Sequence, residues 1–394
     1  MPAPAVAITG IGVVAPCGVG TEAFWRGLLA PAPDGVKRQV PDWDPSPWFA
    51  NAKEARRADP FTQYALAAAA MALEQAGELD ADPSRIGVLV GTGIGGITTN
   101  EEQIVIRHEK GDRRVSPFLV PMMMPNAAAA AVSMRYGFQG PCEATVTACA
   151  AGTHSIGNAL RLITSGRCDA VLCGGSESPL TPTSLAGFGN MTALSSSGRS
   201  MPFDERRDGF VIAEGAGVLV LEDLERARAR GATILGLVLG AASTADAHHI
   251  TAPSPGGGGA VRCMELAIAD AGLSAADIVH VNAHGTSTPL NDAAEAEALA
   301  KVFGTPGPVI TSNKGVTGHA LGAAGALEAV ATVLAIKHEI IPPTFGLERL
   351  DPEMPAIDVV MHEPRPWTPG PSLSNSFGFG GHNGSIVIAP PPSA

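Results

Sequence analysis

A cysteine among small residues, two histidines at strand ends and a loop alternating glycine with phenylalanine are the groups in this chain best suited to do chemistry. In Thr145-Val146-Thr147-Ala148-Cys149-Ala150-Ala151-Gly152-Thr153-His154 the cysteine falls between an expected strand end and an expected helix start. A free thiol titrates near about 8.5, and the N–H groups and dipole of a helix start favour its thiolate, which predicts a lowered pKa and a nucleophile at Cys149. Small neighbours would let a substrate carbonyl reach the sulfur. Cys168, Cys173 and Cys263 read instead as buried structural cysteines.

His284 lies between Asn282-Ala283 and Gly285-Thr286-Ser287-Thr288, in a strand-to-loop turn lined with hydroxyls. His319 ends the run Thr311-Ser312-Asn313-Lys314-Gly315-Val316-Thr317-Gly318 and opens a second small-residue helix. An imidazole near a helix N-terminus is biased toward its neutral form and donates one hydrogen bond to a carbonyl without carrying charge. The run from Asn375 through Phe377-Gly378-Phe379-Gly380-Gly381-His382-Asn383 has more glycine than a hairpin needs, as suits a backbone that turns its N–H groups toward a ligand.

Positioning these groups requires a scaffold of buried strands and helices. Short β-branched runs bounded by glycine, Val6-Ala7-Ile8-Thr9, Ile86 to Val90 and Ala170 to Cys173, predict strands covered on both faces. Alanine-rich windows from Thr62 to Gly77, Met122 to Tyr136 and Thr153 to Gly166 predict helices between them. After Ala232 the same alternation restarts, with strands expected at Ile234 to Leu239, Ile278 to Asn282 and Val309 to Ser312, and helices at Gly259 to Gly272 and Asp292 to Phe303. Two local echoes occur in matching order. Helix, strand and turn through Gly91-Thr92-Gly93 parallel helix, strand and turn through His284-Gly285-Thr286, and the strand leading into the small-residue helix at Thr147 to Gly152 parallels that at Lys314 through His319 to Gly325. The pattern predicts an α/β fold built by internal duplication, with an N-terminal half, 1–240, carrying the cysteine and a C-terminal half, 241–394, carrying the histidines.

Composition narrows the function. With 38 acidic and 26 basic residues the net charge is -12, which disfavours nucleic-acid and anionic-membrane roles. The basic pairs Lys37-Arg38, Arg56-Arg57, Arg113-Arg114 and Arg206-Arg207 are the places where an acidic protein partner could dock. Six cysteines without a C-x-x-C pair indicate neither zinc nor a disulfide framework and suit a reducing cytoplasm. No metal or cofactor is expected, and no apolar stretch of membrane-spanning length is read. Gly10-Ile11-Gly12-Val13-Val14-Ala15 matches a dinucleotide fingerprint but runs directly into Pro16, and Gly256 to Gly259 lacks the lysine of a phosphate loop.

Taken in order, Thr147-Ala148-Cys149, His284-Gly285-Thr286-Ser287-Thr288, Lys314 with Gly318-His319, and Gly378-Phe379-Gly380-Gly381 resemble the β-ketoacyl-acyl carrier protein synthases, closest to the chain-elongating type II members. The resemblance runs from Ile8 to Ile388. It implies the thiolase fold, two duplicated α/β halves in a five-layered αβαβα core, usually a homodimer, with acyl carrier protein as partner. It implies that Cys149 holds the acyl chain as a thioester, that His284 and His319 hydrogen-bond the malonyl thioester carbonyl, and that the N–H groups of Cys149 and Phe379 form the oxyanion hole. Lys314 with Glu328 would order the surroundings of His319. Thr286 and Thr288 would contact the phosphopantetheine arm, Phe377 and Phe379 would gate the site, and Ile94 would end the acyl pocket. Two departures stand out: His382 occupies a position where many members carry threonine, and Ala30 to Arg57 is abbreviated. A degradative thiolase would need a second cysteine near the C-terminus, and the initiating condensing enzymes use asparagine where His319 stands. A ketosynthase of a type II polyketide pathway and a non-catalytic chain-length subunit are the remaining alternatives, and the latter lacks a nucleophile.

Overall fold

The computed structural model describes residues 5–392. In the first half, strand β1 (Val6–Ala15) is followed by helix α1 (Pro60–Ala76), β2 (Ile86–Gly91), α2 (Ala151–Thr164), β3 (Ala170–Glu177) and β4 (Gly215–Asp223). The second half holds β5 (Gly236–Ala245), α3 (Gly258–Asp270), β6 (His280–Asn282), α4 (Pro289–Phe303), β7 (Val309–Thr311), α5 (Ala324–His338), β8 (Ser372–Gly378) and β9 (His382–Ala389). Residue 240 lies inside β5, whose ten residues run from 236 to 245.

Strand order shows the duplication directly. In the first half β1, β4, β3 and β2 lie side by side, antiparallel, antiparallel, then parallel, with Cys142–Glu143 added in parallel at the edge. In the second half β5, β9, β8, β6 and β7 repeat the series antiparallel, antiparallel, parallel, parallel, with Asp358–Val359 at the far edge. The half-sheets join where β1 and β5 pair antiparallel, from Val6 with Val238 to Ile8 with Gly236.

Helices α2 and α5 lie between the half-sheets and touch both: α2 packs on β3 and on β5 and β9, while α5 packs on β4 and on β8. With α1 outside the first sheet and α3 outside the second, the layers are αβαβα. Helix α5 is apolar on every side and buried from Ala324 to Ile336, the sequence signature of a helix with no solvent face. Leu321–His338 is long and apolar enough to cross a membrane by length and composition, but Glu328 and Lys337 interrupt it and it is the buried central helix of the fold. Close packing explains the glycines of the dinucleotide-like run. A Cβ at Gly10 or Gly12 would lie 2.0 or 1.9 Å from the carbonyl oxygens of Ala72 and Ala68, so these glycines let β1 touch α1.

The long helix expected from Met122 to Tyr136 is two short ones, Leu119–Met123 and Ala127–Tyr136. Pro125 accounts for the break, since it lacks the N–H that would continue the first helix.

Candidate active site

Cys149 occupies a short 3₁₀ turn, Ala148–Ala150, that leads into α2. Ala148 has φ +49°, a left-handed conformation that a residue with a Cβ adopts only under strain, and it turns the thiol toward the pocket. The second half repeats the device. Leu321, with φ +44°, opens the 3₁₀ turn Leu321–Ala323 that leads into α5, so Gly322 is the counterpart of Cys149. The two turns meet in the middle layer, where a Cβ on Gly152 would lie 3.0 Å from the Gly322 carbonyl.

One cavity of about 330 Å³ collects Cys149, His284, His319, Thr286, Thr288, Phe377 and Phe379 on its wall. Residues from both halves therefore converge on one thiol. His319 Nε2 is 3.1 Å from Cys149 Sγ, and the His284 and His319 rings stand edge to face with centroids 5.3 Å apart. Burial, and after it the Lys314 charge, holds both imidazoles well below their ordinary pKa, so each is neutral.

The thiol departs from expectation. Burial pushes Cys149 up to about 12, against the pull of the Lys314 cation and of the N–H groups of Phe379 and Cys149 itself. The N–H of the helix start does act on the sulfur, but burial outweighs it. Cys149 is thus a protonated thiol at rest, beside a neutral imidazole able to take its proton.

Behind this front row the Lys314 ammonium donates to the His284 carbonyl at 2.6 Å, to His284 Nδ1 at 3.4 Å, and to the Glu328 carboxylate. Donation to Nδ1 leaves the His284 proton on Nε2. Burial raises Glu328 to about 7, while Lys314 pulls it down. Thr286 Oγ1 and Thr288 Oγ1 are 2.8 Å apart on the cavity wall. Ile94 is set back from this cavity, in an apolar cluster with Cys149, Phe210, Leu321, Leu185 and Phe188. The Gly378 end of β8 presses on the nucleophile turn, where an added Cβ would lie 3.0 Å from Cys149 N and from the Thr147 carbonyl.

Several working residues were not singled out in the sequence. Glu295 on α4 accepts the N–H groups of His284 at 2.8 Å and Gly285 at 2.7 Å, and burial raises its pKa to about 7. Glu177, at the end of β3, accepts from Thr92 Oγ1 and from the N–H groups of Gly93, Ile94 and Gly322, so it fixes the loop that carries Ile94. Phe210 lies edge-on to His319, centroids 5.2 Å apart. The Phe377 to Asn383 loop is tied on one side to α2, where His154 Nε2 lies 3.0 Å from the Asn383 carbonyl. On the other side Asn383 donates to Asp246 at 2.8 Å and the Gly380 N–H to the Ile250 carbonyl at 2.7 Å. His382 begins β9 half-buried, with its ring against Gly380. Among the described residues no group of three or more His, Cys, Asp or Glu side chains is placed to hold a metal ion.

A duplicated five-layer α/β fold that brings one buried thiol and two neutral imidazoles to a shared pocket is that of a thiolase-like condensing acyltransferase. Residues 3–227 match the family model of the β-ketoacyl synthase N-terminal domain and residues 235–348 that of its C-terminal domain, so the chain belongs to the β-ketoacyl synthase family. It is 44% identical to the 3-oxoacyl-[acyl-carrier-protein] synthase 2 of Synechocystis over 97% of both chains, and 45% identical to that of Rhizobium meliloti over 97% of this chain and 98% of the relative. Among solved structures it resembles the ishigamide ketosynthase/chain length factor, at TM-score 0.92 and 33% identity over 99% of this chain and 100% of that one. A type II polyketide acyl-carrier protein in complex with its ketosynthase bound to the hexaketide is similar too, at TM-score 0.88 and 33% identity over 99% of this chain and 100% of that one.

Proposed function

We propose that this chain is a β-ketoacyl-acyl carrier protein synthase that elongates fatty acyl chains by decarboxylative Claisen condensation, with Cys149 as nucleophile and His284 and His319 as the pair that activates malonyl. The observation that carries the reading is the 3.1 Å contact of His319 with the Cys149 sulfur in a pocket where the Cys149 and Phe379 N–H groups also face that sulfur.

In the first half-reaction Cys149 Sγ attacks the thioester carbonyl of an acyl carrier. The carrier's C–S bond breaks, and the thiol proton passes through His319 to the departing phosphopantetheine thiolate. In the second, the malonyl thioester carbonyl accepts hydrogen bonds from His284 and His319. Its carboxylate leaves as carbon dioxide, and the electron pair forms an enolate whose carbon attacks the acyl-Cys149 carbonyl. The developing oxyanion sits on the N–H groups of Cys149 and Phe379, each donor worth about 10²–10³ in rate. Collapse expels the Cys149 thiolate, which takes up a proton, and the β-ketoacyl carrier departs.

Lys314 and Glu328 hold His284 and its proton from behind, Thr286 and Thr288 receive the phosphopantetheine arm, Phe377 and Phe379 form the gate, and Ile94 limits the acyl chain. The partner is an acyl carrier protein. Its docking is narrowed by the structure's ion pairs: Arg206 is engaged by Asp204 and Glu348, and Arg207 is buried against Asp351, whereas Arg56, Arg57, Arg113 and Arg114 are exposed. We place docking on the latter four. A cytoplasmic homodimer fits the exposed edge strand Cys142–Glu143 with exposed Val146 and Met134 nearby in sequence. A boundary just before Gly236 would keep the strand Gly236–Ala245 whole, where one at residue 240 would divide it. Incubating the protein with acyl carrier and malonyl carrier tests the reading: equal amounts of carbon dioxide and β-ketoacyl carrier support it, and carbon dioxide without condensation product sinks it.

The likeness to polyketide ketosynthases supports a second reading, in which the same chemistry extends poly-β-keto chains with a heterologous chain-length subunit. The presence of Cys149 in the pocket argues against the chain being a non-catalytic subunit itself.

A further inference from the structure

His319 lacks the orienting bond that usually fixes a working imidazole. Its Nδ1 is buried without a hydrogen-bond partner, so the ring's direction depends on packing against Phe210 and His284 and on its main chain. That main chain is held on one side only, with the His319 N–H donating to the Val211 carbonyl at 2.8 Å and the His319 carbonyl accepting from Ala213 N–H at 2.9 Å. Lys37–Arg38 pairs in parallel with Ile212–Ala213, placing Arg38 in register with Ala213.

From there the Arg38 side chain reaches the segment that precedes His319. Nη1 donates to the carbonyls of Gly315 at 2.9 Å, Lys314 at 3.4 Å, and Val316. These carbonyls belong to the short helix Lys314–Thr317; that of Lys314 also accepts from the Gly318 N–H at 3.1 Å and from Ser200 Oγ at 2.7 Å, so Arg38 serves chiefly those of Gly315 and Val316. A cation is the favourable group at such an end. The chain then turns through Gly318 at φ +69°, where a Cβ would meet the Ala213 Cβ and the Val211 carbonyl at 3.0 Å and the Arg38 Cδ at 3.3 Å. Arg38 therefore bridges both segments that set the place of Lys314 and His319.

We infer that Arg38 is a positioning residue that holds His319 in reach of the Cys149 sulfur through the main chain of residues 314–319; its consequence for condensation rests on the functional reading above. Arg38 is buried, and the Asp34 carboxylate favours its charge from a distance without a direct ion pair among those formed by the described residues. Burying a cation chiefly against carbonyl dipoles is costly, and an apolar side chain would fill the same space without that cost. What an apolar residue would not supply is the clamp on the Gly315 and Val316 carbonyls. In the sequence Lys37-Arg38 read only as a basic pair on which an acidic partner could dock.

The test uses Arg38→Ala, Arg38→Lys and His319→Ala. Iodoacetamide alkylation of Cys149 against pH reads the His319–Cys149 contact without requiring any acyl substrate. Arg38→Ala should move that profile toward the His319→Ala profile. In condensation it should lose about tenfold or more, as expected when a reacting group is displaced by a fraction of an ångström, while acylation of Cys149, which also passes a proton through His319, falls by a smaller factor. Arg38→Lys should recover part of the loss, and low guanidinium chloride should rescue Arg38→Ala but not His319→Ala. An Arg38→Ala alkylation profile equal to wild type overturns the inference. So does equal loss of acylation and condensation that guanidinium does not restore, which marks a merely structural residue. Wild-type condensation in the same assay reports on the functional reading separately.

Discussion

Cys149 and His319 are 170 positions apart in sequence and 3.1 Å apart in the fold. Their roles differ in what each loss removes. Cys149→Ala is expected to show no acyl-enzyme and no product, measured by intact-protein mass. His284→Ala and His319→Ala should each lose about 10²–10⁴-fold in condensation while still forming some acyl-Cys149, measured by separating the half-reactions. Glu295 gives a prediction in pH. Burial lifts it from an ordinary 4.5 to about 7, so it binds its proton more tightly folded than unfolded. Its contribution to stability is complete below pH 4.5 and is lost as pH rises through 7. Thermal melts of Glu295→Gln should therefore depend less on pH across that window than those of wild type. Cys149 and both histidines stood out in the sequence because each lies in a short motif of small or hydroxyl residues, and the fold gathers all three at one cavity. Glu295 was not legible: in Asn291 to Lys301 it reads like one more charge on a solvated helix face. The thiol's high pKa was missed for a related reason, since a local motif shows the helix dipole and not the depth of burial.

Elements meet at glycines in this fold, and the contact of β8 with the nucleophile turn is the one closest to the chemistry. Gly378→Ala should push Phe379 away from the sulfur and lower acylation and condensation together, because both tetrahedral intermediates use the same N–H pair. Loss of condensation alone would argue against that shared hole. The strands and alanine-rich helices were legible from hydrophobic runs, and the echoes around Cys149 and Leu321 marked a duplication that strand order repeats in full. The helix from Met122 to Tyr136 was misjudged because alanine and methionine content outweighed Pro125 in the reading. Arg38 carried no signal: Lys37-Arg38 looks like any exposed basic pair until its strand is seen to pair with Ile212–Ala213.

At the scale of the whole molecule, an acidic chain that works on an acidic carrier needs a local basic surface. Arg56, Arg57, Arg113 and Arg114 provide the exposed candidates, with Arg57 4.2 Å over the Phe118 ring. Reversing Arg56 and Arg57 to glutamate should weaken carrier binding at low salt by about tenfold, and the difference should shrink as salt is added. Acylation from a small thioester that lacks the carrier should be unchanged. The account as a whole depends on Cys149 carrying the growing chain. The most direct measurement is the intact mass of the protein after incubation with acyl carrier, followed by malonyl carrier, with Cys149→Ala alongside. An acyl adduct that requires Cys149 and disappears as β-ketoacyl carrier forms is the predicted result, and product formation by Cys149→Ala, or an adduct that malonyl carrier never discharges, would contradict it.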